Sequence, residues 1–158
     1  MKPIDLAELI LNCFEKIKLI PKARGIELKY KIEGEKSFPS DPLLLNIILQ
    51  NTLENAIHFH KGEEHPNRYV KLHLKQEQEK LILEIEDNGQ GMGDDIQQKV
   101  FQMFYRGSQE SHGNGLGLYL VEHAVKKLEG EIQLESEMGS FSKFRIELPI
   151  STESECEA

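Results

Sequence analysis

The sequence predicts an α+β fold, a two-layer sandwich in which about three helices cover one face of a mixed, mostly antiparallel sheet of about five strands. Three observations predict it. Segments 26–33, 69–75, 81–87, 131–136 and 143–149 alternate apolar with polar or charged residues, the period of strands with one buried and one wet face. Segments 5–19, 42–60 and 116–129 instead space their apolar residues three and four apart, the period of a half-buried helix. A sheet with one wet face suits antiparallel or mixed pairing, and its apolar face needs a layer of helices.

Each element has its own signal. The first helix carries Leu6, Leu9, Ile10, Cys13, Phe14 and Ile17 on one side and ends before Pro21 and Gly25. The next segment, IELKYKIE, puts Ile26, Leu28, Tyr30 and Ile32 on one face. Ser40-Asp41-Pro42 offers an N-cap and a proline for the first helical position. The helix that follows runs to about His60, with Leu45, Ile48, Leu49, Leu53, Ala56 and Ile57 as its buried stripe. YVKLHLK and LILEIED form a hairpin across QEQEK, a linker without the glycine that tight hairpins favour. Residues 88–115 are polar and glycine-rich, with a short apolar patch at Val100, Phe101, Met103 and Phe104. The last two strands turn Ile132 and Leu134, then Phe144, Ile146 and Leu148, to the core, and Pro149 closes the second.

With 158 residues, 39% of them hydrophobic, the chain suits one domain, residues 1–150, followed by an acidic tail, 151–158, that reads as disordered. No stretch approaches the ~20 apolar residues of a membrane span, and MKPIDLAELI is not a signal peptide. A net charge of −8 argues against a nucleic-acid partner but not against nucleotides, which backbone N–H groups and a metal can hold. Cys13 and Cys156 match no metal or redox spacing. His60 and His65 near Glu63 and Glu64 lack a defined ligand spacing, and His73, His112 and His123 read as surface residues.

Three stretches carry chemistry. In DNGQGMG, Asp87 shares the parity of Leu81, Leu83 and Ile85 and should point into the apolar layer. A buried carboxylate needs donors; an adenine amino group is one, and Gly89 and Gly91 would let the backbone approach a flat ring. The bland alternative is a glycine turn capped by Asp87. On the 42–60 helix, Asn51, Asn55 and His58 stand at i, i+4 and i+7. Their amide oxygens suit Mg²⁺, although such a row is more often a solvated polar face. Third, HGNGLGL runs straight into the 116–129 helix, a phosphate cradle in form and a weak signal alone.

Together and in this order, the three stretches resemble the superfamily of gyrase, heat-shock chaperones, histidine kinases and mismatch-repair ATPases, with its Bergerat-type sandwich. Asn51 and Asn55 look like its N box, Asp87, Gly89 and Gly91 like its G1 box, and Gly113, Gly115 and Gly117 like its G2 box. VFQMFYRGS is similar to the F box of histidine kinases, and GLGLYLVEHAVKKLEGEIQLES and SEMGSFSKFRIELP to the segments that close their catalytic domain.

The resemblance implies an ATP-binding catalytic domain of a sensor histidine kinase, a cytoplasmic protein-histidine kinase module. Its partners would be ATP with Mg²⁺, a phosphoacceptor dimerisation domain outside this chain and a downstream response regulator, without nucleic acid or direct membrane contact. Asp87 would bond the adenine amine. Asn55 would hold Mg²⁺, with Asn51 beside it. Gly115, Leu116 and Gly117 would donate to the phosphates from the loop that begins at Gly113. Residues 93–112 would form a lid anchored by Phe101 and Phe104, with Arg106 as cation for the γ-phosphate. Asn51 and Arg106 are thus the expected catalytic residues; Met92, Leu118 and Ser142 complete the expected nucleotide contacts. Two positions depart from the pattern: His58 stands where a lysine or arginine is usual, and Phe141 replaces a glycine of the last hairpin. A hydrolytic ATPase is the alternative, but its water-activating glutamate would fall at Asn51, which cannot take a proton. A non-catalytic nucleotide-binding module is the other alternative.

Overall fold

The computed structural model describes residues 2–102 and 117–150. In chain order the elements are β1 (Lys2–Asp5), α1 (Leu6–Ile17), a 3₁₀ turn (Pro21–Ala23), β2 (Glu27–Glu33), β3 (Ser37–Ser40), α2 (Pro42–His58), β4 (Tyr69–Glu77), β5 (Lys80–Asp87), α3 (Asp94–Lys99), α4 (Gly117–Lys127), β6 (Glu131–Glu137) and β7 (Phe141–Pro149).

Five strands make one sheet in the order β2-β4-β5-β7-β6. β2 and β4 are parallel, with α2 in the connection between them, and the other neighbours are antiparallel. The alternating sequence decides which face is dry. Val70, Leu72, Leu74, Leu81, Leu83, Ile85, Phe144, Ile146 and Leu148 are all buried, and α1, α2 and α4 close over them in one core. The opposite face keeps the charges. At its centre Glu84 meets Lys143 at 3.0 Å and His73 at 3.6 Å. This is the expected two-layer sandwich.

Local chemistry sets the boundaries. Asp5 caps α1 through Glu8 N–H, and Asp41 caps α2 through Leu43 and Leu44 N–H, which satisfies amides that have no partner inside the helix. The β4–β5 hairpin is longer than the sequence predicts. Its turn is only Gln78 and Glu79, both left-handed at φ 50° and 63°. That two-residue conformation normally favours asparagine and glycine, and the long hydrophobic ladder on either side imposes it here.

Three elements go beyond the sequence reading. β1 and β3 pair antiparallel in a separate two-stranded sheet, too short and too proline-interrupted for alternation to reveal. α3 forms inside the segment read as polar lid. None of its six residues is buried, so no apolar period marks it. Just after it Val100 is buried, and Phe101 packs edge-on against Phe144 at 6.1 Å. Met103, Phe104, Arg106, Gly113, Gly115, Leu116 and the 151–158 segment lie outside the described residues.

Candidate nucleotide site

β5 delivers Asp87 as its parity requires. The residue lies on the core side, opposite Val70 on β4 and Ser142 on β7, and is 5% exposed. One oxygen, Oδ1, accepts the Gly89 N–H at 2.9 Å. Burial pushes its pKa up to about 7, the Gly89 bond opposes this, and Glu86 adds to it. Asp87 is therefore a buried acceptor close to its titration point at neutral pH.

The two glycines after it are required by protein packing. A Cβ on Gly89 would stand 2.8 Å from Asp87 Oδ1, 3.0 Å from His60 Cα and 3.1 Å from the Phe59 carbonyl. Gly91 has φ +70° and faces the Glu137 backbone. The sequence reading gave these glycines to the approach of a flat ring; in the structure the space is filled by the α2–β4 connection and the β6–β7 hairpin.

Met92 is buried, and its N–H donates to Ser136 Oγ at 2.8 Å. Ser136 Oγ also lies 2.7 Å from the Phe141 carbonyl and 2.9 Å from Ser142 Oγ. A hydroxyl has one proton; Ser136 gives its own to Phe141, so the buried Ser142 donates to Ser136. Gln97 of α3 donates to the carbonyls of Met92 and Ser136 at 2.7 and 3.1 Å, which ties α3 to the same corner.

Asn51, Asn55 and His58 form the expected row on α2, each half-buried. Asn51 Nδ2 donates to the Ile47 carbonyl at 2.8 Å, which turns Oδ1 away from the helix. Gly117, the first residue of α4, faces that oxygen, 3.5 Å from where its Cβ would be. The N-terminal end of α4, the positive end of its dipole, thus opens beside the amide row. Leu118 is buried in the core. At the other end of α2, Phe59 and His60 touch the Gly89 turn, so one helix joins the Asp87 corner to the start of α4.

The model of histidine kinase-, DNA gyrase B-, and HSP90-like ATPases matches residues 40–152. The chain belongs to this ATPase family. Among its relatives, the autoinducer 2 sensor kinase/phosphatase LuxQ of Vibrio parahaemolyticus is 29% identical over 94% of this chain and 18% of its own length. A probable C4-dicarboxylate sensor kinase of Halalkalibacterium halodurans is 31% identical over 80% of this chain and 25% of its own. The chain therefore spans a quarter or less of these two relatives. Among solved structures, the mycobacterial sensor histidine kinase MprB superposes with a TM-score of 0.78 at 25% identity, covering 94% of this chain and 97% of that one. The fold is that of a sensor histidine kinase catalytic domain.

Some residues packed around the Asp87 corner escape sequence reasoning. Ser136 has the parity of Ile132 and Leu134, and the argument that found Asp87 would have found it. His60, Gln90 and Lys61 carry no such signal; their hydrogen bonds around the Gly89 turn come from where the α2–β4 connection lands.

Proposed function

We propose that the chain is the ATP-binding catalytic domain of a two-component sensor histidine kinase, which transfers the γ-phosphate of ATP to a histidine on a dimerisation domain outside this chain. The phosphohistidine would then pass its phosphate to a response regulator. Family membership supports the nucleotide. The observation that carries the transfer reading is Asn51, which occupies the place of a water-activating base with an amide whose nitrogen is already committed to the Ile47 carbonyl. Glu54, the nearest carboxylate on the helix, is bonded to Gln50 at 3.0 Å.

Asp87 takes the adenine amino group on its ionised carboxylate, with Ser142 and Met92 at the rim. The half-buried amide oxygens of Asn51 and Asn55 fit a hard cation, and Mg²⁺, when bound there, neutralises phosphate charge. Asn55 supplies a ligand, Asn51 positions the phosphate end, and the first turn of α4 at Gly117 donates N–H groups to it. Gly113, Gly115 and Leu116 extend that cradle in this reading, while Arg106 meets the γ-phosphate and Phe104 anchors the lid. Phosphoryl transfer relies on positioning and charge more than on covalent help from the enzyme, which accords with an amide at Asn51 where a hydrolytic relative would carry its base. The module is cytoplasmic in this reading, whether or not the parent protein is membrane-bound. No helix among the described residues is long and apolar enough to cross a membrane.

The test is radiolabelled ATP with the chain alone and then with a supplied dimerisation domain. Alone it neither labels itself nor releases phosphate at a meaningful rate; with the partner, label appears on the partner's histidine. Rapid release by the chain alone, surviving Asn51→Ala, would establish the hydrolytic reading instead.

A further inference from the structure

His60 lies two residues past the end of α2 and is fully buried. Its Nε2 lies 2.9 Å from the Tyr69 carbonyl at the head of β4, and its Nδ1 accepts the Lys61 N–H at 2.9 Å. The two bonds define a neutral ring with its proton on Nε2. Burial holds its pKa below the usual value, as do the charges of Arg68, Lys22 and Lys61, against the opposing bond to Tyr69. Arg68, itself buried, braces the same connection by donating to the carbonyls of Lys61 and Arg24, both at 2.9 Å.

The backbone so held is the shelf under the Gly89 turn. Gln90 donates its N–H to the Phe59 carbonyl and its side-chain amide to the His60 carbonyl, each at 3.2 Å. Gly89 rests on His60 without room for a methyl group, and it is the Gly89 N–H that Asp87 Oδ1 accepts. The shelf also reaches the β6–β7 hairpin, through Gly139 N–H to the Gln90 carbonyl and Lys61 Nζ to the Gly139 carbonyl.

We propose that His60 is a positioning residue of the base pocket: its ring fixes the 59–61 backbone, which sets the Gly89 turn and, through the Gly89 N–H, the direction of the Asp87 carboxylate. This rests on the reading of Asp87 as the adenine contact. The ligand concerned is a purine nucleotide that offers an exocyclic amine to one fixed acceptor.

The experiment measures ADP affinity by calorimetry and amide exchange by NMR in His60→Ala, His60→Gln, Gln90→Ala and Asp87→Asn. Loss of the ring should weaken ADP about tenfold, the scale of one lost hydrogen bond at a buried site. It should speed exchange at Gly89 and Gln90 while the amides at the centre of β5 stay protected. Glutamine, whose terminal amide can donate to the Tyr69 carbonyl, should recover most of both effects. Gln90→Ala alters an exposed side chain, so it tests the shelf even if His60→Ala fails to fold, and it should change both readings in the same direction. Wild-type ADP affinity and Gly89 exchange in His60→Ala, or in Gln90→Ala if the former does not fold, would overturn the proposal. So would loss of protection spread evenly over the sheet. If Asp87→Asn binds ADP normally, the adenine reading fails; if it binds poorly while His60→Ala and Gln90→Ala bind normally, only the positioning role fails.

Discussion

Gly91 faces the Glu137 carbonyl so closely that a Cβ would stand 2.0 Å from the oxygen. The backbone there is also left-handed, at φ +70°. Gly91→Ala must therefore push the β6–β7 hairpin away from the turn after β5 and strain its own backbone. The expected cost is about 1–3 kcal/mol, with the Met92–Ser136 bond lost as well. Thermal unfolding of the apo protein measures it; an unchanged melting temperature would contradict this packing.

Asp87→Asn should abolish most nucleotide stabilisation. An amide presents donors to the adenine amine where a carboxylate only accepts. Ligand at a hundred times its Kd should add about 2.7 kcal/mol to the wild-type fold. At pH 8 the apo variant should be at least as stable as the wild type, because it no longer buries a charge. Full ADP stabilisation in the variant would remove Asp87 from the base pocket.

The pH dependence follows from the raised pKa of Asp87, about 7 against an ordinary 3.8. Between those values the folded protein holds a proton that the unfolded chain has released. The contribution of Asp87 to apo stability therefore falls as pH rises from about 4 to about 7, and is level above that. A ligand amine that prefers the ionised carboxylate reverses the balance: ADP should bind more tightly at pH 8 than at pH 6 and release a proton on binding near pH 7. Calorimetry in buffers of different ionisation enthalpy detects that proton, and its absence in wild type would be decisive against the assignment.

Asn55→Ala should remove the Mg²⁺ dependence of nucleotide binding. The affinity without Mg²⁺ should stay within about twofold, since one half-buried neutral amide contributes little by itself without the cation it would hold. Titrations with and without the cation decide this; an unaltered Mg²⁺ effect would move the metal site elsewhere.

The sandwich was legible wherever one residue type repeats on a physical period. Val70 to Leu74, Leu81 to Ile85 and Phe144 to Leu148 alternate because one face of the sheet is dry, and Asp87 was found by continuing that count. β1, β3 and α3 bury too little to print a period. The left-handed turn at Gln78 and Glu79 is imposed by the strands around it, against the preference of its own residues. At the proposed site, the amide row of α2 was legible from residue type at helical spacing and the carboxylate of β5 from strand parity. The contacts of Gly91 with Glu137, and of Gly89 with His60, join segments far apart in sequence, and only the folded chain brings them together.

β7 lies between β5 and β6 although it is the last of the described strands to be made. During synthesis β5 and β6 emerge from the ribosome without the strand that both must pair with. The sheet cannot close until Pro149 has cleared the exit tunnel, and until then two strand edges with apolar faces stand open to wrong partners. Nascent chains stalled before Phe141 should be clients of chaperones, and those released beyond Pro149 should not.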